Sequence, residues 1–415
     1  MIRFTRFCLN NGLKVLVHED RSTPLAAMNL LYDVGSRDED PESTGLAHLF
    51  EHLMFGGTTT IPEFDKHIQL AGGENNAFTN NDITNFYITI PAENIETAFW
   101  LESDRMSDLD LTVQKLEIQK NVVIEEFNQR YLNQPYGDVM LLLRPLAYKV
   151  HPYRWPTIGM DTSHIRNTGL AGVKDFFSAH YAPDNAILCI TGNISPDRVR
   201  KLAEKWFGRI DRRKTKSRNL PPEPVQNEAR KVIAEREVPV SAIYKAWHTG
   251  PRNGPDFYAL DLITDLLAGG ESGRLFDRLV RKKKLFSEIN AYITSDNDPG
   301  LAIIHGKLMK GVEFDQAEES INHVIKDLQK NFTSPSELKK VKNRHEASVV
   351  LGNCDILNKA LKLSLFELLG DSEMINYENE LYTKTDKEKI LSTASRYFTP
   401  ENCSTLHYKS IIADK

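Results

Sequence analysis

Residues 44–56 read TGLAHLFEHLMFG. The apolar residues of this stretch recur at helical spacing: Leu46, Leu49, Phe50 and Leu53. Such a broad apolar stripe predicts a helix that is buried on most sides. We expect Ser43 or Thr44 to cap the start of this helix and the glycines at 56–57 to end it.

The predicted helix carries a candidate metal site. His48 and His52 are four residues apart, so both imidazoles lie on one face and can bind a single ion. Glu51 lies beside that face, where it can reach a water on the metal without being a ligand. A third protein ligand would leave the fourth zinc position for water, which favours hydrolysis with Glu51 as the catalytic base. Histidines among Leu, Phe and Met also support a metal, because buried polar groups are costly when nothing binds them.

The order His-x-x-Glu-His, together with the later segment KNVVIEE at residues 120–126, resembles the pitrilysin family of zinc peptidases. That family includes insulin-degrading enzyme and the mitochondrial processing peptidase. The resemblance implies that Glu126, 74 positions after His52, is the third zinc ligand. Glu125 is the alternative ligand, and only one of the two should face the metal because neighbouring helical residues point about 100° apart. Relatives often carry a further glutamate seven residues before the third ligand, where this chain has Gln119. That carboxylate is either missing here or replaced by Glu117 from a neighbouring turn.

A second segment fits the same resemblance. Residues 71–79 read AGGENNAFT, and relatives place the Asn-Ala-Phe-Thr strand at a sheet edge beside the zinc. An exposed edge can pair with an extended peptide through main-chain hydrogen bonds. Asn76, Ala77 and Phe78 are therefore the expected substrate contacts, with a plain loop and strand as the alternative.

Composition and order along the chain indicate a two-domain α+β protein. The chain has 415 residues with 40% hydrophobic and 26% charged residues, which suits two domains of ordinary composition. We predict a zinc-bearing domain at 1–210, a linker at 211–229 and a second, similar, non-catalytic domain at 230–415. Residues 181–185 and 397–402 each precede a predicted strand and have related sequences, which favours duplication. The resemblance implies that each domain is a mostly antiparallel sheet covered by helices, and that the chain equals half of a pitrilysin-type clamshell.

Several other functions lack support in the sequence. The formal net charge of -5 provides no basic surface for nucleic acid. The four cysteines are isolated, so neither a thiolate metal site nor a redox pair is indicated. Neither a Gly-x-Ser-x-Gly elbow nor a Walker phosphate loop occurs. Without an apolar run of 18 residues or a signal peptide we expect no membrane association and a cytoplasmic protein, or a periplasmic one if a signal peptide was removed.

The resemblance also implies a partner. Family enzymes use an Arg and a Tyr, seven residues apart, which reach across to the zinc site and hold substrate. The corresponding positions here are Val280 and Ser287, with Arg281 beside the first. We therefore expect a heterodimer with a homologous chain that lacks the zinc motif and supplies this pair, or a homodimer if Arg281 substitutes. The expected function is endopeptidase cleavage of short or unfolded peptides in the enclosed chamber, and the alternative is a non-catalytic structural or peptide-binding subunit.

Overall fold

The computed structural model describes residues 1–213, 218–330 and 334–412, so part of the predicted linker, residues 214–217, lies outside the described residues. The strands are β1 (Thr5–Cys8), β2 (Lys14–Glu19), β3 (Leu25–Tyr32), β4 (Glu74–Thr79), β5 (Thr84–Pro91), β6 (Ala186–Gly192), β7 (Arg230–Arg236), β8 (Ala242–His248), β9 (Phe286–Ile293), β10 (Leu301–Leu308) and β11 (Cys403–Ser410). These elements confirm the predicted α+β class with mixed strands and helices.

The helices range from six to eighteen residues. They are α1 (Leu46–Met54), α2 (Phe64–Leu70), α3 (Ile95–Ser107), α4 (Val113–Phe127), α5 (Val139–Ala147), α6 (Thr162–Asn167), α7 (Leu170–His180), α8 (Pro196–Trp206), α9 (Phe257–Ala268), α10 (Phe314–Lys330), α11 (Pro335–Gly352), α12 (Ile356–Leu368), α13 (Met374–Lys384) and α14 (Lys387–Tyr397). Two π-helical stretches, Asn128–Leu132 and Phe276–Lys282, accompany them.

The two sheets share one topology. The first has the strand order β1-β2-β6-β3-β5-β4, and the second has the order β7-β11-β8-β10-β9. In each sheet one pair is parallel, β2 with β6 and β7 with β11, and the other pairs are antiparallel. When β1 is left out, the strands β2, β6, β3, β5 and β4 of the first sheet correspond in order to β7, β11, β8, β10 and β9 of the second. This confirms the prediction of two similar, mostly antiparallel units.

Matching side chains support the same conclusion. Asn185 Nδ2 donates to His180 O at 2.8 Å and to Asp33 O at 3.2 Å, just before β6. Asn402 Nδ2 donates to the backbone oxygens of Tyr397 and His248 at 2.9 Å, just before β11. In both units an asparagine side-chain amide therefore connects the same two backbone segments just before the corresponding strand. The edge strands β4 and β9 also correspond, with the sequences ENNAFT and EINAYI.

The compact units of the structure are composed differently from the predicted sequence ranges. One unit comprises residues 1–127, 155–220 and 350–377, and the other comprises 128–154, 221–349 and 378–415. The helix α12 packs on β3 and β6 of the first sheet, although it lies late in the chain. The helix α5 packs on β7, β8 and β11 of the second sheet, although it lies early. The ranges 1–210 and 230–415 thus stay a prediction about the duplicated segments.

Apolar side chains between each sheet and the helices packed on it form the hydrophobic cores. In the first unit, Leu363 and Phe366 of α12 pack on Leu16, Leu31 and Cys189. In the second unit, α9, α10 and α14 share one core with the sheet, and α5 contributes to a separate core with β7, β8 and β11. Burial of apolar surface is the main favourable contribution to folding. It also fixes the positions of the first sheet and of the helices beside it.

Candidate metal centre

The N-cap of helix α1 is a glycine, and a side chain from an earlier segment accepts the hydrogen bonds of the first turn. Gly45 has φ +88°, and a Cβ at this position would lie 2.5 Å from Ile158 O, so only glycine fits. The Glu39 carboxylate accepts hydrogen bonds from Gly45 N and Ala47 N, both at 2.8 Å. The prediction of Ser43 or Thr44 as the cap is therefore wrong. The reason is tertiary: a buried carboxylate from an earlier loop satisfies the free N–H groups of the first turn.

Burial sets the electrostatics of this cap. Removal from water raises the pKa of Glu39 to about 8, although the hydrogen bonds from Ala47 and Gly45 act in the opposite direction. Thr44 has another role, since its hydroxyl accepts from Met160 N and contacts His164 Nδ1, both at 2.8 Å. At the other end, α1 stops at Met54, and Gly56 N donates to Leu53 O at 3.0 Å, close to the predicted end.

The apolar stripe of α1 holds the helix in the core. Phe50 is fully buried and stacks on Tyr181 with ring centroids 4.5 Å apart and on Phe177 at 5.7 Å. The predicted stripe residues Leu46, Leu49, Phe50 and Leu53 are all buried. With this face occupied, His48, Glu51 and His52 lie on the remaining, half-buried side of the helix.

Helix α4 brings a carboxylate to the two histidines. Glu126 Oε2 lies 3.8 Å from His48 Nε2 and 3.4 Å from His52 Nε2. One ligand atom from each of the three residues lies within 4.8 Å of the others, and among the described residues this is the one such group of His, Cys, Asp and Glu. Glu125, the alternative ligand, is exposed. The structure therefore brings together His48, His52 and Glu126 and leaves Glu125 at the surface.

The distances from Glu126 Oε2 to the two imidazole nitrogens fit a tetrahedral ion. Zinc bonds of about 2.0–2.1 Å at tetrahedral angles separate two ligand atoms by about 3.3 Å. The observed 3.4 and 3.8 Å are close to this spacing. The side chains of His48, His52 and Glu126 are 13%, 22% and 18% exposed, so the cluster is largely shielded but in contact with solvent. Such a group can hold a divalent ion that remains accessible to solvent.

Glu51 lies beside this group and is held by a residue of the first sheet. Thr79 Oγ1 donates a hydrogen bond of 2.5 Å to Glu51 Oε2. Glu51 itself does not belong to the group of possible ligands. The carboxylate is thus placed next to the candidate ion site with a fixed hydrogen-bond donor, as a proton-transfer group would require.

The predicted substrate contacts lie on an edge strand. β4 pairs with β5 on one side and is the last strand of its sheet. Its side chains alternate, so that Asn76 and Phe78 are exposed whereas Ala77 and Thr79 are half-buried. Ala77 N donates to Asn76 Oδ1 at 2.8 Å. The strand therefore offers a free edge close to α1, which it contacts.

The residues that differ from the family pattern are also located. Gln119 is half-buried and, seven residues before Glu126, shares its face of α4. Glu117 is nine residues from Glu126, on the opposite face, and pairs with Lys120 Nζ at 2.8 Å. The suggestion that Glu117 replaces the missing carboxylate is therefore wrong.

In the second unit, Val280 packs against the core, and Ser287 Oγ donates to Lys307 O at 3.3 Å. Arg281 is exposed on the π-helical stretch 276–282 and pairs with Asp277. Neither Val280 nor Ser287 has the chemistry of the Arg and Tyr found in family enzymes.

Two neighbours of the site were missed by sequence reasoning. Glu39 lies six residues before Gly45, a spacing that belongs to no recognisable capping pattern. Thr79 directly follows Asn76, Ala77 and Phe78, the predicted substrate contacts. Its place at the end of a strand expected beside the zinc could have indicated that it lies near Glu51.

No helix in the described ranges is both long and apolar enough to cross a membrane.

Residues 14–158, which include every member of the candidate site, match the family model described as insulinase, peptidase family M16. Residues 170–344 match the model described as peptidase M16 inactive domain. The chain is 30% identical to the zinc protease PqqE of Helicobacter pylori over 97% of this chain and 91% of that protein. It is 26% identical to the uncharacterized zinc protease YmxG of Bacillus subtilis over 95% of this chain and 96% of that one.

Solved structures show the same likeness. The crystal structure of a protease from Helicobacter pylori matches with a TM-score of 0.94 and 26% identity, covering 99% of this chain and all of that one. Pitrilysin matches in fold with a TM-score of 0.76 and 18% identity, covering 98% of this chain and 45% of pitrilysin. The predicted resemblance to the pitrilysin family is confirmed. Similarity along nearly the whole chain, with the histidine and glutamate cluster inside the matched region, shows that the chain belongs to peptidase family M16.

Proposed function

We propose that this protein is a zinc-dependent endopeptidase in which His48, His52 and Glu126 hold the ion and Glu51 transfers protons. The observation that carries this proposal is the convergence of the three ligand atoms within 4.8 Å. Relatives named zinc proteases support the choice of zinc.

The donor set supports a catalytic site over a purely structural one. Two imidazoles and one carboxylate are the ligands of zinc peptidases such as thermolysin, and structural zinc sites use four protein ligands. The side chains here come from two helices of the first unit, α1 and α4, which pack against each other. A site on rigid helices keeps its geometry during turnover.

When bound, zinc lowers the pKa of a coordinated water to about 7 and polarises the substrate carbonyl. Glu51 accepts the proton of the attacking water at its carboxylate, as a C–O bond forms at the peptide carbon. It then gives that proton to the leaving amine nitrogen as the C–N bond breaks. One water is consumed for each peptide bond, and Glu51 returns to its ionised form.

The free edge of β4 supports recognition of extended peptides. Main-chain groups of Asn76, Ala77 and Phe78 would pair with the peptide backbone, and the exposed Phe78 ring would contact one side chain. Backbone pairing tolerates varied sequences but requires an extended segment. Short or unfolded peptides are therefore the proposed substrates, in a chamber completed by a partner.

A homologous partner that lacks the zinc motif and supplies an Arg and a Tyr would complete the substrate site. Val280 and Ser287 support this need, since valine has no polar group and the Ser287 hydroxyl donates to Lys307 O. A homodimer is the alternative, in which Arg281 would have to leave Asp277. Mass measurement of the purified complex separates the two: one chain type at twice 47.2 kDa supports the homodimer, and two chain types support the heterodimer.

The test compares zinc content and cleavage of an unstructured fluorogenic peptide, with a purified homologue that lacks the zinc motif added as the partner. Glu51→Gln should keep zinc and lose roughly 100- to 10,000-fold in kcat. Glu126→Gln should lose zinc, whereas Glu125→Gln on the same helix should keep both zinc and activity. A zinc-loaded wild type that cleaves nothing with its partner present would overturn the proposal.

The second candidate function is a non-catalytic structural or peptide-binding subunit. Val280 and Ser287 favour it, as does the match of residues 170–344 to a domain described as inactive. This alternative predicts that wild type and Glu51→Gln bind peptide equally and that neither cleaves it. Equal peptide affinity together with cleavage by wild type alone supports the peptidase.

A further inference from the structure

We infer that Thr79 is a positioning residue that orients Glu51 and connects the peptide-binding edge of β4 to proton transfer. This inference rests on the proposed function and adds a residue to it. Thr79 is the last residue of β4, directly after Phe78, and its hydroxyl donates to Glu51 Oε2 at 2.5 Å. One side chain therefore joins the strand that would pair with substrate to the carboxylate that would act on it.

The position of Thr79 is fixed by the turn that follows. Thr79 pairs with Thr84 of β5, and Asn80 N donates to Ile83 O at 3.0 Å to close the turn. Asn80 Oδ1 accepts from Asp82 N at 2.8 Å and from Ile83 N at 2.9 Å, which locks the same turn from its inner side. The backbone of Thr79 consequently has little freedom to move.

The strand on the other side is also anchored. Thr84 is fully buried, and its hydroxyl donates to Val34 O at 3.0 Å, just beyond β3. Because threonine is β-branched, its χ1 angle is stiff, so an anchored backbone also fixes the direction of Oγ1. Glu51 therefore meets a donor at a fixed position.

A fixed donor has a specific consequence for a carboxylate. Glutamate has three rotatable bonds, and a hydrogen bond to one oxygen selects one orientation of the carboxyl plane from several. Charge-assisted hydrogen bonds are strong enough to make that orientation dominant. Thr79 should therefore affect the proton-transfer step and leave zinc affinity and peptide affinity nearly unchanged. Peptide pairing along β4 would further restrict the strand that holds Thr79.

The experiment compares Thr79→Val with Thr79→Ser in the full chain with its partner and bound zinc. Valine keeps the shape and removes the donor, whereas serine keeps the donor. We expect Thr79→Val to lower kcat between about 10- and 100-fold with KM within about twofold. Thr79→Ser should recover most of the loss. Thr89→Val, at the opposite end of the β4–β5 pair, is the matched control and should leave kcat unchanged.

Two further measurements separate positioning from a structural role. Zinc content and Tm of Thr79→Val should equal those of wild type, and peptide Kd should be the same in Glu51→Gln with and without Thr79→Val. A crystal structure of zinc-loaded Thr79→Val should show the Glu51 carboxylate displaced or in several conformers, and this readout is independent of activity. If the wild type cleaves nothing, the proposed function fails, and the crystal structures still test the orientation of Glu51.

The inference is overturned if Thr79→Val keeps kcat within twofold, or if Glu51 retains one unchanged conformer in that variant. A loss that Thr79→Ser does not restore, or one that appears mainly in KM or Tm, also overturns it.

Discussion

Glu39→Gln tests whether the buried cap of α1 is protonated near neutral pH. Two physical effects oppose each other at this carboxylate. Burial disfavours its charge, whereas hydrogen bonds from Gly45 N and Ala47 N favour it. Burial prevails and raises the pKa from 4.5 to about 8. The glutamine side chain is neutral at every pH and has nearly the same shape, but its amide nitrogen cannot accept one of the two hydrogen bonds, and this loss is the same at every pH.

The sign of the effect follows from linkage. Because the folded pKa is higher than the unfolded one, the folded chain binds more protons between pH 4.5 and about 8. The stability contributed by this proton is complete below pH 4.5 and is lost as the pH rises through about 8. Raising a pKa over that range corresponds to at most about 5 kcal/mol, and relaxation around the carboxylate reduces it, so we expect about 2–5 kcal/mol.

The assay is urea unfolding followed by tryptophan fluorescence, to which the buried Trp155 contributes, with chelator present so that zinc affinity does not contribute. At pH 5 Glu39→Gln should be less stable than wild type by about 1–3 kcal/mol, because one backbone N–H of the first turn loses its acceptor. Between pH 5 and pH 9 the stability of Glu39→Gln relative to wild type should rise by about 2–5 kcal/mol. Glu42→Gln, an exposed position nearby, should follow wild type at both pH values. Parallel curves for Glu39→Gln and wild type would refute the reasoning, since they would mean that Glu39 is ionised throughout and that the helix donors outweigh burial.

Three further predictions concern the framework of the site and of the second unit. Gly45→Ala should destabilise the protein by at least about 2 kcal/mol in urea unfolding, because φ is +88° and a carbonyl oxygen lies 2.5 Å from the new Cβ; a change below about 0.5 kcal/mol would contradict this. Arg105→Met should cost about 3–5 kcal/mol in the same assay, because it leaves the 1% exposed Glu102 carboxylate without its ion-pair partner, and adding Glu102→Gln should restore part of the loss. The hydrogen bond from His407 holds the pKa of Glu318 well below its usual range, so this group stabilises the fold above pH 4.5 and the contribution is lost as the pH falls. Glu318→Gln should therefore show a weaker loss of Tm between pH 5 and pH 3 than wild type, and equal losses would argue against the pair.

Local patterns predicted much of the fold because their causes are local. Helical spacing of apolar residues located α1 close to its observed bounds, and the strands predicted after residues 181–185 and 397–402 are β6 and β11. The relation of His48, Glu51 and His52 also follows from a single helix, since residues three and four apart share a face. Glu126 was different, because only family resemblance connected it with a helix 74 residues earlier.

Local patterns could not predict contacts between segments that are distant in the sequence. Nothing in the spacing of Glu39 and Gly45 marks a cap, and the expected hydroxyl caps were wrong because a buried carboxylate occupies the first-turn donors instead. The link from Thr79 to Glu51 likewise depends on how β4 packs against α1. A donor and an acceptor meet here only because two independent elements are each held by the core.

The amino-acid order was sufficient for the elements themselves, for their repetition and for the paired histidines, because each of these depends on neighbours within a few turns of chain. Packing decided which helix covers which sheet: α5 from the first half covers the second sheet, and α12 from the second half covers the first. Apolar burial is non-directional and has no preference for nearby sequence, so an apolar helix face carries no record of the sheet that it will cover. The same physics brings Glu126 on α4 to the histidines of α1 and leaves Glu125 exposed, a choice that family resemblance indicated but that local spacing could not make.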